Sequence, residues 1–235
     1  MLKKKQFYFP IIIILLTGCQ FLPNNSIPTQ ATSAVENTIE STNTPLTTVS
    51  TPTPSIPLGE RFKLDKYQLS IPENWFYSIV NEPNLIGWVF TSKDPLQIKE
   101  EGLNHWAGAL WTVSPLPEGS IPEAMRAEME SVLPQFGNDD LEGLLTTPER
   151  AGLLDLSEAQ VRLERATTTT WANQPALQLD GQILFNNDPN LSLAVSVYLI
   201  WNQTNFLGYF QFSDSTITDQ IQPVFAASRE SLVIP

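Results

Sequence analysis

Tyr67, Leu69 and Ile71 alternate with Gln68 and Ser70, the period-two pattern of a half-buried strand. Pro72-Glu73-Asn74 then turns the chain into Trp75-Phe76-Tyr77. A second short strand runs from Gly87 to Ser92, with Trp88 and Phe90 on one side. Asp94-Pro95 opens a brief helix through Glu100, because proline is preorganised for a first helical position. His105 to Val113 has strand character and stops at Ser114-Pro115. Ser120-Ile121-Pro122-Glu123 has the form of a capping box, and Met125, Met129, Val132 and Phe136 follow at helical spacing. Arg126, Glu128 and Glu130 fall off that stripe, so the pattern predicts an amphipathic helix laid over an apolar surface.

The second half is richer in strands. Val161 to Thr170 is dense in β-formers, and after Trp171-Ala172-Asn173-Gln174-Pro175 the residues Leu177, Leu179, Ile183 and Phe185 alternate. Asn186 to Asn190 is a polar hairpin loop. Leu191, Leu193, Val195, Val197, Leu199 and Trp201 hold period two over the longest stretch of the chain, which places Trp201 with the core. Asn202 to Asn205 turns into Phe206, Phe210 and Phe212. The last element, Asp219 to Leu232, has Pro223 in its first turn and points Ile221, Val224, Phe225, Ser228 and Leu232 inward, a closing helix. Strands joined by hairpins, with helices before and after, predict an α+β domain whose antiparallel sheet is covered by helices. No internal repeat is visible.

The ends of the chain have another character. Residues 20–57 are dominated by Thr, Ser, Asn and Pro, with Glu36 and Glu40 as their only charges and no hydrophobic period. Such a segment buries too little apolar area to offset the entropy of ordering. As a flexible coil it spans about 35 Å end to end, the length of a stalk. Before it, Lys3, Lys4 and Lys5 precede an apolar run from Phe7 to Leu16, and Leu16-Thr17-Gly18-Cys19 follows. A basic start, about ten apolar residues and small residues at the cut form a secretory signal. A membrane-spanning helix needs about twice that length. With cysteine at the cut, the segment resembles a bacterial lipoprotein signal, which makes Cys19 the lipidated residue. The organisation expected is therefore a signal peptide over 1–18, lipidated Cys19 plus a linker over 19–57, and one globular domain over 58–235.

That domain also resembles a known family. The entry Ile71-Pro72-Glu73-Asn74-Trp75 is similar to that of the PsbP-like superfamily, named for an extrinsic protein of the photosynthetic oxygen-evolving complex. The turn Asn173-Gln174-Pro175-Ala176 and the ending Ser228-Arg229-Glu230-Ser231-Leu232 fit its rhythm, so the resemblance spans about residues 60–235. It implies an α/β/α sandwich around a central antiparallel sheet. It also implies a non-catalytic binding or assembly role, and no metal-binding residue carries over from it.

Composition narrows the partners. The formal net charge is −12, and cleavage before Cys19 removes three lysines and takes it to −15. Acidity of that size argues against nucleic acid and against an electrostatic grip on anionic lipid. Arg61, Lys63 and Lys66 form the one close basic group of the mature chain. Cys19 is the only cysteine, so a mature chain lipidated there has neither a thiolate nucleophile nor a disulfide.

The candidate chemistry is thin. His105, the single histidine, stands beside Trp106 with no nucleophile in a recognisable motif. Neither a nucleophile elbow nor H-E-x-x-H occurs. Asn138-Asp139-Asp140-Leu141-Glu142-Gly143 offers hard oxygen ligands for calcium but lacks EF-hand spacing, and it reads as an acidic loop after a helix. Glu123, Glu128 and Glu130 lie on the outward side of the predicted helix, where nothing separates their pKa values for acid and base work. Of the six tryptophans, Trp106 and Trp111 have opposite parity on one strand, so one ring leaves the core side unless both faces are covered. Trp171, beside a turn, is the first choice for an exposed aromatic contact, with Trp106 second.

These readings predict a lipid-anchored extracytoplasmic module that is not an enzyme and needs no cofactor or metal. It would bind a partner protein at the membrane surface. The alternatives are a small-ligand or glycan-binding lipoprotein and a hydrolase with an unrecognised site.

Overall fold

Residues Asp188–Asn202 form the longest strand. Leu193, Val195, Val197 and Leu199 are buried on one of its faces, and Ser196, Tyr198 and Ile200 on the other. A strand closed off on both faces belongs inside a layered domain. The computed structural model describes residues 57–82 and 85–235. The expected signal segment, Cys19 and the linker up to residue 56 lie outside the described residues.

The strands are β1 Leu58–Leu64, β2 Tyr67–Pro72, β3 Phe76–Glu82, β4 Leu85–Thr91, β5 Ala107–Pro115, β6 Ala159–Trp171, β7 Gln174–Phe185, β8 Asp188–Asn202 and β9 Asn205–Asp214. The helices are α1 Pro95–Glu101, α2 Pro122–Val132, α3 Asn138–Arg150 and α4 Thr218–Glu230, with a 3-10 turn at Leu133–Gln135. Seven strands make one antiparallel sheet in the order β3-β4-β5-β9-β8-β7-β6, which leaves β3 and β6 at its edges. β1 and β2 form a separate hairpin. The fold is thus mixed α+β around a large antiparallel sheet.

The two covering layers differ. On one face, Phe62, Leu64, Leu69 and Ile71 of the hairpin and Phe225 of α4 pack on Phe90, Trp111, Tyr198, Ile200 and Tyr209 of the sheet. The hairpin is tied to the C-terminus by Ser228, whose hydroxyl donates to the Ser70 carbonyl at 2.7 Å, and by Val233, whose backbone exchanges hydrogen bonds with Gln68. On the other face lie α2 and α3, whose Met129, Leu141 and Leu145 are buried. Gly181 of β7 permits that packing, because a Cβ there would collide with the Arg162 carbonyl and the Leu141 side chain. Among the described residues no helix is long and apolar enough to cross a membrane.

Several local expectations change. The acidic segment from Asn138 is the opening of α3 rather than a loop. Leu141 and Leu145 sit one turn apart and are driven onto the sheet, which outweighs the poor propensities of Gly143 and Pro148. Ser120 does not cap α2; its N-cap is Ile121, with no side-chain cap bond. The capping box forms at α1 instead, where Asp94 Oδ1 accepts from the Leu96 N–H at 2.7 Å and Gln97 Oε1 accepts from the Asp94 N–H at 3.2 Å. The β7–β8 turn is shorter than expected, since Phe185 already pairs with Asp188. Trp201, expected in the core, is half-buried and packs its ring on Phe206 at 5.1 Å.

Candidate interaction surface

β3 runs Phe76-Tyr77-Ser78-Ile79-Val80-Asn81 before its first charge at Glu82. Its inner edge pairs with β4 in unbroken register from Phe76↔Thr91 to Glu82↔Leu85. Antiparallel pairing uses alternate backbone groups, so the others on this edge strand face outward. Tyr77, Ile79 and, from β4, Ile86 share the hairpin-side face with Trp88 and Phe90. They are 50%, 58% and 45% exposed, and Phe76 on the opposite face is 42% exposed.

An aromatic cluster stiffens this end of the sheet. Phe62 from β1 packs on Tyr77 at 4.5 Å and on Trp88 at 4.7 Å, with Tyr77 and Trp88 6.0 Å apart. The Trp88 indole N–H donates to the Lys63 carbonyl, and the Tyr77 hydroxyl donates to Glu60, each at 3.4 Å. The hairpin therefore anchors the β3–β4 end but stops short of Ile79 and Ile86. Such a rigid apolar patch has the character of a protein contact.

The opposite edge is built differently. β6 carries Arg162, Glu164 and Arg165, and its register shifts between Leu163 and Arg165. Charges and a bulge are the usual means of blunting an edge strand. β3 has no bulge and no charge before Glu82.

Elsewhere a set of polar side chains is matched around Arg229, whereas the buried indole N–H groups of Trp106 and Trp111 and the Tyr209 hydroxyl have no hydrogen-bond partner among the described residues. The Arg229 guanidinium lies 4.1 Å over the Tyr198 ring and donates to Gln211 Oε1 at 2.6 Å. Gln211 in turn donates to Gln222, and Arg165 pairs with Asp180 at 2.6 Å. Burial raises the Tyr198 phenol, and the positive Arg229 partly opposes that rise.

An open groove of about 680 Å³ lies between the α1–β5 connection, the segment after α3 and the β7–β8 turn. Ile98, Leu103, Leu154, Phe185 and Leu191 supply its apolar wall, and Asp155, Glu158 and Asp188 its charges. The Asp155 carboxyl is held below its ordinary range by the Ser157 N–H and hydroxyl.

The residues singled out from sequence are scattered rather than assembled. Trp171 is 3% exposed and Trp106 fully buried, so neither ring offers the contact expected of it. Trp171 packs on Tyr198 and Tyr209, and its indole N–H donates to the Arg229 carbonyl. Trp106 lies over Gly108, where a Cβ would strike its ring. His105 has a left-handed backbone, with φ of 52°, and its N–H donates to Asp214 Oδ2 at 2.5 Å. Burial would raise the Asp214 carboxyl, but the N–H donors of Thr216 and His105, joined by the Thr216 hydroxyl, outweigh it and hold the pKa below normal. Asp139 and Asp140 sit in the first turn of α3, where their charge suits the helix dipole. Asp140 also accepts the Gly137 N–H at 2.8 Å. Among the described residues no group of three or more such side chains is placed to hold a metal. The exposed β3–β4 end was missed in the sequence, although its run of apolar positions without polar alternation was the available signal.

No protein-family model and no curated protein matches this chain. Among solved structures it is similar to cyanobacterial PsbP (CyanoP) from Synechocystis sp. PCC 6803, with a TM-score of 0.49 and 15% identity over 79% of this chain and 96% of that one. It is also similar to LpqN, involved in cell envelope biogenesis of Mycobacterium tuberculosis, with a TM-score of 0.40 and 15% identity over 71% and 82% of the two chains. PA94 from Pseudomonas aeruginosa, a protein of unknown function, gives a TM-score of 0.34 and 15% identity over 75% and 96%. Likeness of this degree carries no argument about activity, which rests on the surfaces themselves.

Proposed function

We propose that this chain is a non-catalytic binding module of the PsbP-like kind. It is held outside the cytoplasm by lipid on Cys19 and docks a protein through the β3–β4 end of its sheet. The observation that carries this reading is the exposure of Tyr77, Ile79 and Ile86 beside an edge strand that has no bulge and no charge before Glu82. The motif from Ile71 to Trp75 supports the kinship, and Leu16-Thr17-Gly18-Cys19 supports the anchor. A photo-crosslinking residue at position 79 of the full-length chain, activated in intact cells, should give a discrete protein adduct. Illumination that yields only the free chain, with the same residue at exposed Leu96 as control, counts against the reading.

A second reading rests on the groove beside α1. Its apolar wall and carboxylates, with no basic side chain among its lining residues, suit a small ligand with an apolar body and a cationic group. Thermal-shift titration with long-chain amines against matched fatty acids distinguishes it. Equal response to both, or to neither, removes this reading.

A further inference from the structure

We infer that the occupant of the β3 edge is β3 of a second copy of this chain, paired antiparallel about a two-fold axis. The inference rests on reading the β3–β4 end as a docking surface and names what docks there.

The argument begins with charge. A second copy brings the same negative charge, −15 once the three lysines before Cys19 are removed, so two copies meet most readily along a stretch of strand free of carboxylates. Residues Asn74 to Asn81 contain no Asp, Glu, Lys or Arg. The other edge, β6, places Arg162, Glu164 and Arg165 along its length and breaks its own register. One edge of this sheet is therefore guarded and the other left open.

Register supplies the second step. An antiparallel strand pair is self-complementary about a two-fold axis. Centring the axis on Ser78 sets Tyr77 opposite Ile79 of the second copy, twice, and Phe76 opposite Val80, twice. Apolar side chains then meet on both faces of the joined sheet, and no like charges oppose one another. Slipping the register by one residue would turn each side chain to the wrong face of the partner strand. The Phe62–Tyr77–Trp88 cluster holds the strand rigid beforehand, which lowers the ordering entropy of association. Edge pairing of one short strand buries less than a standard interface, and confinement of lipid-anchored copies to one surface raises their effective concentration to compensate.

The test uses the full-length lipidated chain extracted in mild detergent. Sedimentation velocity should find two copies per particle. Ser78→Cys, the only free thiol when Cys19 carries lipid, should form a covalent homodimer with a short bis-maleimide. Ile79→Lys should weaken association about tenfold or more while leaving the thermal midpoint unchanged. If Ile79→Lys folds poorly, Ile86→Lys on β4 serves the same purpose. A wild-type chain that stays monomeric at all concentrations overturns the inference, as does a dimer untouched by both lysine variants. Crosslinking of Ser78→Cys only to a different protein overturns the second copy but keeps the docking surface. Absence of any adduct overturns the second copy, and absence of a photo-adduct at position 79 as well overturns the docking surface.

Discussion

The indole N–H of Trp171 donates to the backbone carbonyl of Arg229 at 2.9 Å, joining residues 58 apart in sequence. It ties the β6–β7 hairpin to the last turn of α4, whose Arg229 side chain lies over Tyr198. One indole thus locks the closing helix onto the sheet.

Trp171→Phe keeps most of the ring and removes the donor, so it should cost about 1–2 kcal/mol, while Trp171→Ala should cost about 3–5 kcal/mol. Urea unfolding of the two variants measures both. A Trp171→Phe variant as stable as the wild type would mean that the hydrogen bond contributes nothing.

Asp214 gives the fold an acid limit. Its folded pKa lies below that of an unfolded aspartate, so its stabilisation is complete above about pH 4 and is lost as pH falls through the lower folded value. Asp214→Asn should lower stability at neutral pH and flatten the acid limb of the urea midpoint plotted against pH. An acid limb of unchanged slope in the variant would show that other carboxylates set it.

Gly181→Ala should cost about 1–3 kcal/mol, because the new methyl has to displace a backbone carbonyl as well as Leu141. Gly143→Ala, where nothing stands within 4 Å, is the control and should be neutral or slightly stabilising. Calorimetry of the pair checks this, and similar midpoints would contradict the close approach of α3 to β7.

Cys19→Ser should abolish incorporation of labelled palmitate and leave the signal segment uncut, with the unfolding of the domain unchanged. Label retained in the variant would refute the anchor.

How far the chain could be read from local pattern varied by element. β8 was legible from Leu191 onward because its alternation is local, and the closing helix because Phe225, Ser228 and Leu232 keep helical spacing. α3 was not. Asp139, Asp140, Gly143 and Pro148 resemble loop chemistry, and what makes them helical is Leu141 and Leu145 meeting β7. Trp171 was misplaced for a related reason: its partner is a carbonyl in another element, and proximity to a turn says nothing of that.

By itself the sequence determined most of the strands, the helices other than α3, the apolar side of those elements, and an expectation of lipid at Cys19. Tertiary structure alone decided exposure, burying Trp106 and Trp171 and leaving Ile79 and Ile86 at the surface. Periodicity encodes which face of a strand is apolar, but what lies over that face depends on strand order. Here β5 pairs with β9 across the whole second half of the chain, and that pairing puts β3 at an open edge.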